Sequence, residues 1–246
     1  MLMDFLLVST DESAVNESDQ ESQAKHAYRM IEGMIVTLAL PPGSRVTEKS
    51  LSETLGIGRT PVREALQKLA YERTIKILPR SGAIVAEIDI TEHFKLIELR
   101  REIDRILVSR ATRQVDPLAV RMFLDLALRF EAAGKANDGN LFIQADADFN
   151  RLIEQTAKHD YAAAAMAPLQ AQTRRLWYLY YKEFGDLTTV SRLHAKIARA
   201  VASRDEQTAR AAADTLLDYV EDYTYRTIRT LENKEGHSGI SAHQEK

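Results

Sequence analysis

Between Thr47 and Leu69 the sequence TEKSLSETLGIGRTPVREALQKL leaves room for little except two short helices around a tight turn. Gly56 closes the first helix, because glycine takes the left-handed backbone of a helix end at low cost. Thr60 is the expected N-cap of the second, with Pro61 in its first position, where a missing N–H costs nothing. Val62, Ala65, Leu66 and Leu69 then fall at i, i+3, i+4 and i+7, an apolar stripe that must pack against something. On the first helix Thr47 is the expected cap, Leu51 and Leu55 share a buried face, and Lys49 lies outside. Arg63 and Gln67 point away from the stripe, and Arg59 precedes it. Arginine presents a planar fork of donors that matches a guanine edge or a phosphate, and glutamine can pair with adenine. The segment therefore reads as a helix-turn-helix whose second helix faces DNA.

The flanks complete the unit. Upstream, Ala27, Met30, Ile31, Met34, Ile35 and Leu38 have helical spacing, and the run stops at Pro41-Pro42-Gly43. Downstream, Ile75–Leu78 and Ala83–Ala86 are short and β-branched, with Pro79-Arg80-Ser81-Gly82 as the turn. Three helices followed by a hairpin make a winged helix-turn-helix, over about residues 25–88. Residues 25–86 carry ten Lys or Arg against five Glu, a net of +5, which leaves −8 for the rest of a chain whose total is −3. A basic module joined to an acidic one suits a DNA-binding head with a separate body. Arg45 belongs to the same basic set.

The string from Leu40-Pro41-Pro42-Gly43-Ser44 through Leu55-Gly56-Ile57-Gly58-Arg59-Thr60-Pro61-Val62-Arg63-Glu64-Ala65-Leu66 closely resembles the N-terminal domain of GntR-type bacterial transcription regulators. The resemblance implies DNA contacts at Lys49, Arg59, Thr60, Pro61 and Arg63, with the wing tip, Arg80, Ser81 and Gly82, entering the minor groove. Two positions depart from the family. Gly58 stands where Ser or Thr is common, removing one hydroxyl from the phosphate face, and Arg73 stands where glycine is usual, at a backbone cost if the turn needs positive φ.

Beyond Ile90 the chain reads as all-α. Thr91 can cap a helix to about Gln114, and Asp116-Pro117 starts another that reaches the Gly134 region. A third spans roughly 138–156, and a fourth 160–184, bent or interrupted at Pro168. Two more cover about 187–203 and 205–231. Six helices with short connections predict an antiparallel bundle that can enclose a ligand. The expected architecture is thus mainly α, a winged helix-turn-helix head and a helical body over 91–231. Residues 1–24 and 232–246, rich in polar residues, are expected to be mobile ends.

The body resembles the FCD domain of the FadR subgroup. One branch of that subgroup binds a divalent metal through an aspartate, a histidine four residues later, and two further histidines. Here the matching positions hold Asp146, Asn150, His194 and Leu216. Only Asp146 and His194 remain as ligands; leucine cannot ligate and an amide oxygen is a weak donor, so a metal cofactor is not expected.

The same faces suggest an effector pocket instead. Asp146 and Asn150 share a helix face with Phe142, Phe149 and Ile153, His194 lies among Val190, Leu193, Ile197 and Val201, and Arg100 sits on the stripe Leu96, Ile103, Leu107. Polar groups on inward faces need partners. Arg100 is expected to hold an anionic group, with Asp146, Asn150 and His194 hydrogen-bonding the rest, and Arg174 and Tyr181, with Trp177 and Tyr178, adding a wall. A small organic acid fits that set. Structural ion pairing within the core would explain the same residues.

Composition excludes other classes. The absence of cysteine rules out disulfides and thiolate zinc sites, which suits a cytoplasmic protein. No stretch has the length and apolarity of a membrane span, and the N-terminus lacks the basic and hydrophobic regions of a signal peptide. No phosphate-binding glycine loop, nucleophile elbow or HExxH occurs. The expected function is a homodimeric regulator, a repressor by family habit, on a palindromic duplex operator. A body that dimerises without sensing, and more remotely a helical metal-dependent hydrolase using Asp146 and His194, are the alternatives.

Overall fold

A computed structural model describes residues 12–241, with side chains described from 23 to 233 apart from Phe184. The chain divides into two compact units, a head ending at Ala86 and a body from Glu87 onward, with residues 36–39 counted in the second.

The head contains α1 (Glu12–Val36), β1 (Arg45–Val46), α2 (Glu48–Leu55), α3 (Arg59–Tyr71), β2 (Ile75–Leu78) and β3 (Gly82–Val85). The predicted apolar stripe is buried: Val62, Ala65, Leu66 and Leu69 meet Ala27, Ile31 and Ile35 of α1, Leu51 of α2, and Ile75, Ala83 and Val85 of the sheet. Thr47 caps α2 as expected, its Oγ1 accepting from Ser50 N–H at 3.0 Å while Ser50 Oγ accepts from Thr47 N–H. Gly56 ends α2 at φ 66°.

Several details differ from expectation. α3 is N-capped by Gly58 and starts at Arg59, so Thr60 is not the cap and Pro61 lies in the third helical position. The missing N–H still falls among the helix's first four unpaired donors, so the proline remains costless. Met30 turns outward, and Leu38 lies beyond α1 at φ 61°. The wing has three strands, not two. β3 pairs antiparallel with β2, Ile75 opposite Val85 and Leu78 opposite Gly82, and also with β1, Arg45 opposite Ile84. Two residues carry too little pattern to show as a strand in sequence. Arg73 does adopt positive φ, 59°.

The body holds α4 (His93–Gln114), α5 (Pro117–Ala136), α6 (Gly139–Ala157), α7 (Asp160–Phe184), α8 (Leu187–Ala202) and α9 (Glu206–Ser241). The boundaries follow from side-chain caps: Asp116, Asp138 and Asp186 each accept from backbone N–H groups of the helix they start. Asn137 and Lys158 close α5 and α6 in the left-handed conformation. Thr91 is not a cap. Glu92 occupies that position, and Asp89 accepts from the N–H groups of Thr91 and Glu92. α7 continues through Pro168 as one helix. The helices surround one core, with α5 packed most extensively on α8 and α4 on α9. The expected mobile ends lie partly outside the described residues; inside them, 12–24 and 232–241 extend α1 and α9.

Gly82 shows why the wing needs glycine. Its φ is 85°, and a Cβ there would sit 2.4 Å from the Val46 carbonyl oxygen. Gly82→Ala is therefore expected to destabilise the head by about 2 kcal/mol or more. Urea unfolding followed by head-specific amide protection measures this, and an unchanged midpoint contradicts the close β1–β3 approach.

Candidate functional site

Two sets of residues stand out, one in each unit. In the head, α2 and α3 turn Lys49, Arg59, Thr60, Arg63 and Gln67 to the surface, and Arg45 is exposed on β1. Arg80 and Ser81 are exposed at the turn between β2 and β3, where Arg80 takes φ 60°. Pro61 is the exception among the expected contacts. It is buried beside Gly58, so its side chain shapes the start of α3 and is not presented to a ligand. Gly82 is half-buried, and the β1 approach above accounts for it.

Sequence gave no sign of what Arg63 does in the free protein. Its Nε and Nη2 donate to Glu48 Oε1 and Oε2 at 2.8 and 2.9 Å, a two-pronged pair from α3 back to α2. The hydrogen bond from Arg63 and its charge hold the Glu48 carboxyl below the ordinary carboxylate range. The guanidinium is thus fixed with its fork already occupied by two oxygens, the geometry that a guanine O6/N7 edge also offers.

In the body, α6 supplies Asp146, α7 Arg174, α8 His194 and α4 Arg100, all buried. His194 Nε2 lies 3.2 Å from Asp146 Oδ1, and its Nδ1 lies 2.8 Å from the Val190 carbonyl. Both ring nitrogens face oxygens, so both contacts are hydrogen bonds only when both nitrogens carry protons. Phe130, Phe142 and Phe149 surround the ring at centroid distances of 4.8, 5.2 and 5.9 Å. Arg174 Nε stands 3.7 Å from Asp146 Oδ2, which accepts no hydrogen bond. Burial pushes the Asp146 carboxyl up, but the His194 hydrogen bond and the charges of His194, Arg174 and Arg100 outweigh it and hold the group below the usual range. Arg100 is not idle, since its Nε donates to Asp104 at 3.1 Å, and burial pushes the Asp104 carboxyl up.

These residues line a cavity together with Phe142, Thr173, Trp177 and Leu216. The volume open to a water-sized probe is about 30 Å³, room for about one or two waters. Asn150 and Tyr181 are not among the lining residues. Asn150 is buried with Nδ2 unpaired, and Tyr181 stacks on Trp177 at 4.7 Å and packs over Gly139, at the start of α6. Tyr178 also turns to that end, donating to Asn140 Oδ1. Asp104 and Thr173 were missed in sequence: Asp104 is one turn beyond Arg100 and looks like an ordinary helical pair, and Thr173 sits in a mixed polar stretch. Trp177 Nε1 is buried without a partner.

The residues do not fit a metal. Leu216 brings aliphatic carbon to the cavity, Asn150 lies outside its lining, and Arg174 already places a fixed cation at the Asp146 carboxylate. Among the described residues no group of three or more His, Asp or Glu is disposed to hold an ion.

Residues 95–219, just over half of the chain, match the family model for the FCD domain, and residues 23–85 match that for bacterial regulatory proteins of the gntR family. An uncharacterised HTH-type transcriptional regulator in an unstable DNA locus of Streptomyces ambofaciens is 26% identical over 206 residues, 84% of this chain and 86% of that one. The HTH-type transcriptional repressor RspR of Escherichia coli is 25% identical over 220 residues, 89% and 95% of the two chains. Among solved structures, E. coli McbR/YncC shares the fold with a TM-score of 0.71 at 19% identity, covering 84% of this chain and 98% of that one.

Removing the anion that His194 and Arg174 share leaves buried cationic groups without it. Asp146→Asn is expected to lower unfolding free energy by about 3–5 kcal/mol. Because the Asp146 pKa is depressed on folding, its contribution is present above the unfolded carboxyl pKa, about 4, and drains as pH falls through the folded value. Urea titrations between pH 2 and 6 check both points: the Asn variant should lose less stability than wild type on acidification, and parallel profiles contradict the assignment.

Proposed function

The chain belongs to the gntR family of bacterial regulatory proteins, with an FCD domain as its body, and from that premise we propose a metabolite-responsive repressor. A DNA-binding transcriptional regulator of this family is not an enzyme. The protein acts in the cytoplasm, where its operator is; no described helix is long and apolar enough to cross a membrane.

The head reads a palindromic operator as one half of a homodimer. A small winged head covers few base pairs, and twofold symmetry doubles the site. Arg59, Arg63 and Gln67 of α3 face the major groove, while Arg45, Lys49, Thr60 and the wing residues Arg80 and Ser81 meet the backbone or the minor groove. The pair between Arg63 and Glu48 carries this reading, because it holds an exposed guanidinium in a fixed orientation with its fork on two oxygens, as a guanine edge would. On DNA, a guanine edge takes the place of Glu48.

The body senses a small organic anion. Among the residues lining its cavity, Arg100 and Arg174 are cationic, against the single carboxylate of Asp146. A carboxylate ligand displaces Asp146 from Arg174, and the unpartnered Trp177 N–H supplies a further hydrogen bond. The free volume is too small for such a ligand without movement of Arg174 and Trp177, and that requirement couples occupancy to a change of helix packing. The same small volume favours one second reading, a body that dimerises and senses nothing.

Three outcomes follow. Arg63→Ala should cost about 1–3 kcal/mol of affinity for the duplex that wild type selects, as read by fluorescence anisotropy; equal affinity contradicts the α3 assignment. Affinity should fall steeply with salt, since phosphate contacts release counterions. Trp177 is the chain's single tryptophan, so a panel of small organic acids should include one that changes its emission and raises the melting temperature, with the response lost in Arg174→Met. A panel with no response in either signal supports the non-sensing body.

A further inference from the structure

Asp146 of α6 and His194 of α8 meet in a buried space, Oδ1 and Nε2 3.2 Å apart. An aspartate beside a histidine is a common start to a zinc-like site, which needs three or four such donors. Here the rest of the cavity turns away from an ion. Leu216 of α9 lines it with carbon, and Arg174 of α7 sets Nε 3.7 Å from Oδ2, the oxygen of Asp146 that His194 leaves open.

Arg174 and Asp146 are 8 and 4% exposed, so bulk water relieves neither charge. An arginine is almost never buried that deeply unless it is paired, and a buried carboxylate needs positive charge nearby. The Arg174 charge is among those that hold Asp146 ionised. A guanidinium and a divalent ion can each fill that role, but not at one oxygen together. Like charges a few ångströms apart in a poorly screening medium repel strongly, and the guanidinium is covalently fixed to α7.

We infer that Arg174 stands in for a metal ion: its guanidinium is the resident cation of the cavity, neutralising Asp146 in the free protein and receiving the ligand's carboxylate in the bound one. The first role stands by itself, and the second rests on the sensing reading above. Ligand class follows from the difference between the two cations. A metal ion with an open position accepts a hydroxyl or keto oxygen next to a carboxylate, so it rewards chelating acids. A guanidinium fork is filled by the two oxygens of one carboxylate. The ligand is therefore a plain carboxylate that needs no chelating neighbour.

Zinc alone is the probe, titrated into the chelator-treated full chain, with uptake read by calorimetry and stability by thermal unfolding. Leu216→His adds a third donor to the cavity, and Arg174→Met takes the cation away. Leu216→His with Arg174 intact should bind zinc about tenfold or more weakly than the double variant Arg174→Met/Leu216→His, since the guanidinium repels the ion. Zinc should also raise the double variant's melting temperature, and excess chelator should reverse the rise. If the double variant folds only with zinc, recovery of its circular dichroism on zinc addition is the same outcome. Arg174→Lys/Leu216→His keeps the charge and should bind zinc as weakly as Leu216→His. Equal affinity in all three variants, or a double variant that neither binds zinc nor gains stability from it, overturns the inference. In wild type, the response to an organic acid should survive excess chelator. A response lost on chelation also overturns the inference and leaves the sensing reading standing, whereas a panel without any responder removes the sensing reading alone.

Discussion

A carboxylate buried among phenylalanines is affordable only if cations reach it, and in the body that requirement ties the helices together. Asp146 is 4% exposed. Its two oxygens face His194 of α8 and Arg174 of α7, and Arg100 of α4 stands close enough to act on its charge. Removing one partner of such a set strands the others in a medium that solvates charge poorly. Hydrophobic contacts give the bundle most of its stability, but they are compatible with many small rotations of one helix against another. The polar cluster is compatible with few. A ligand that competes for Arg174 therefore acts where four helices are held in register.

Much of this arrangement was legible before any coordinates. The periodic stripes of α3, α4, α6 and α8 predicted their buried faces, and Asp116 ahead of Pro117 marked a helix start because a carboxylate there meets unpaired N–H groups. Asp146, Asn150, His194 and Arg100 were recognisable as polar residues on inward faces, and Arg174 only as part of a wall beside them. What sequence could not give was pairing. Arg100 reads as a ligand hook until Asp104 is found holding it, and Asn150 and Tyr181 share faces with the cavity residues yet lie outside its lining. Caps were misplaced where two candidates adjoin. Gly58 and Thr60 both precede the α3 stripe, and only the first carbonyl bond, Val62 N–H to Gly58 O, decides between them.

The head shows a different division of labour. Its core needs only one face of α3, so Arg59, Arg63 and Gln67 are left to solvent by the same geometry that buries Leu66 and Leu69. Three residues in the wing and its entrance take left-handed backbone, Arg73, Arg80 and Gly82. Two of them are arginines, which pay for that conformation where glycine would not. Each places a cation on a tight turn next to the wing, consistent with a head whose sequence carries a surplus of positive charge while the rest of the chain is acidic.

The central claim is that α3 and the wing read DNA with twofold symmetry. Selection of bound duplexes from a random-sequence pool by the full chain, followed by sequencing, tests it most directly. The account predicts enrichment of an inverted repeat whose two halves are equivalent and whose centres present neighbouring major grooves on one side of the duplex. Recovery of a single unrepeated element, or of no preferred sequence at any salt concentration, would contradict it.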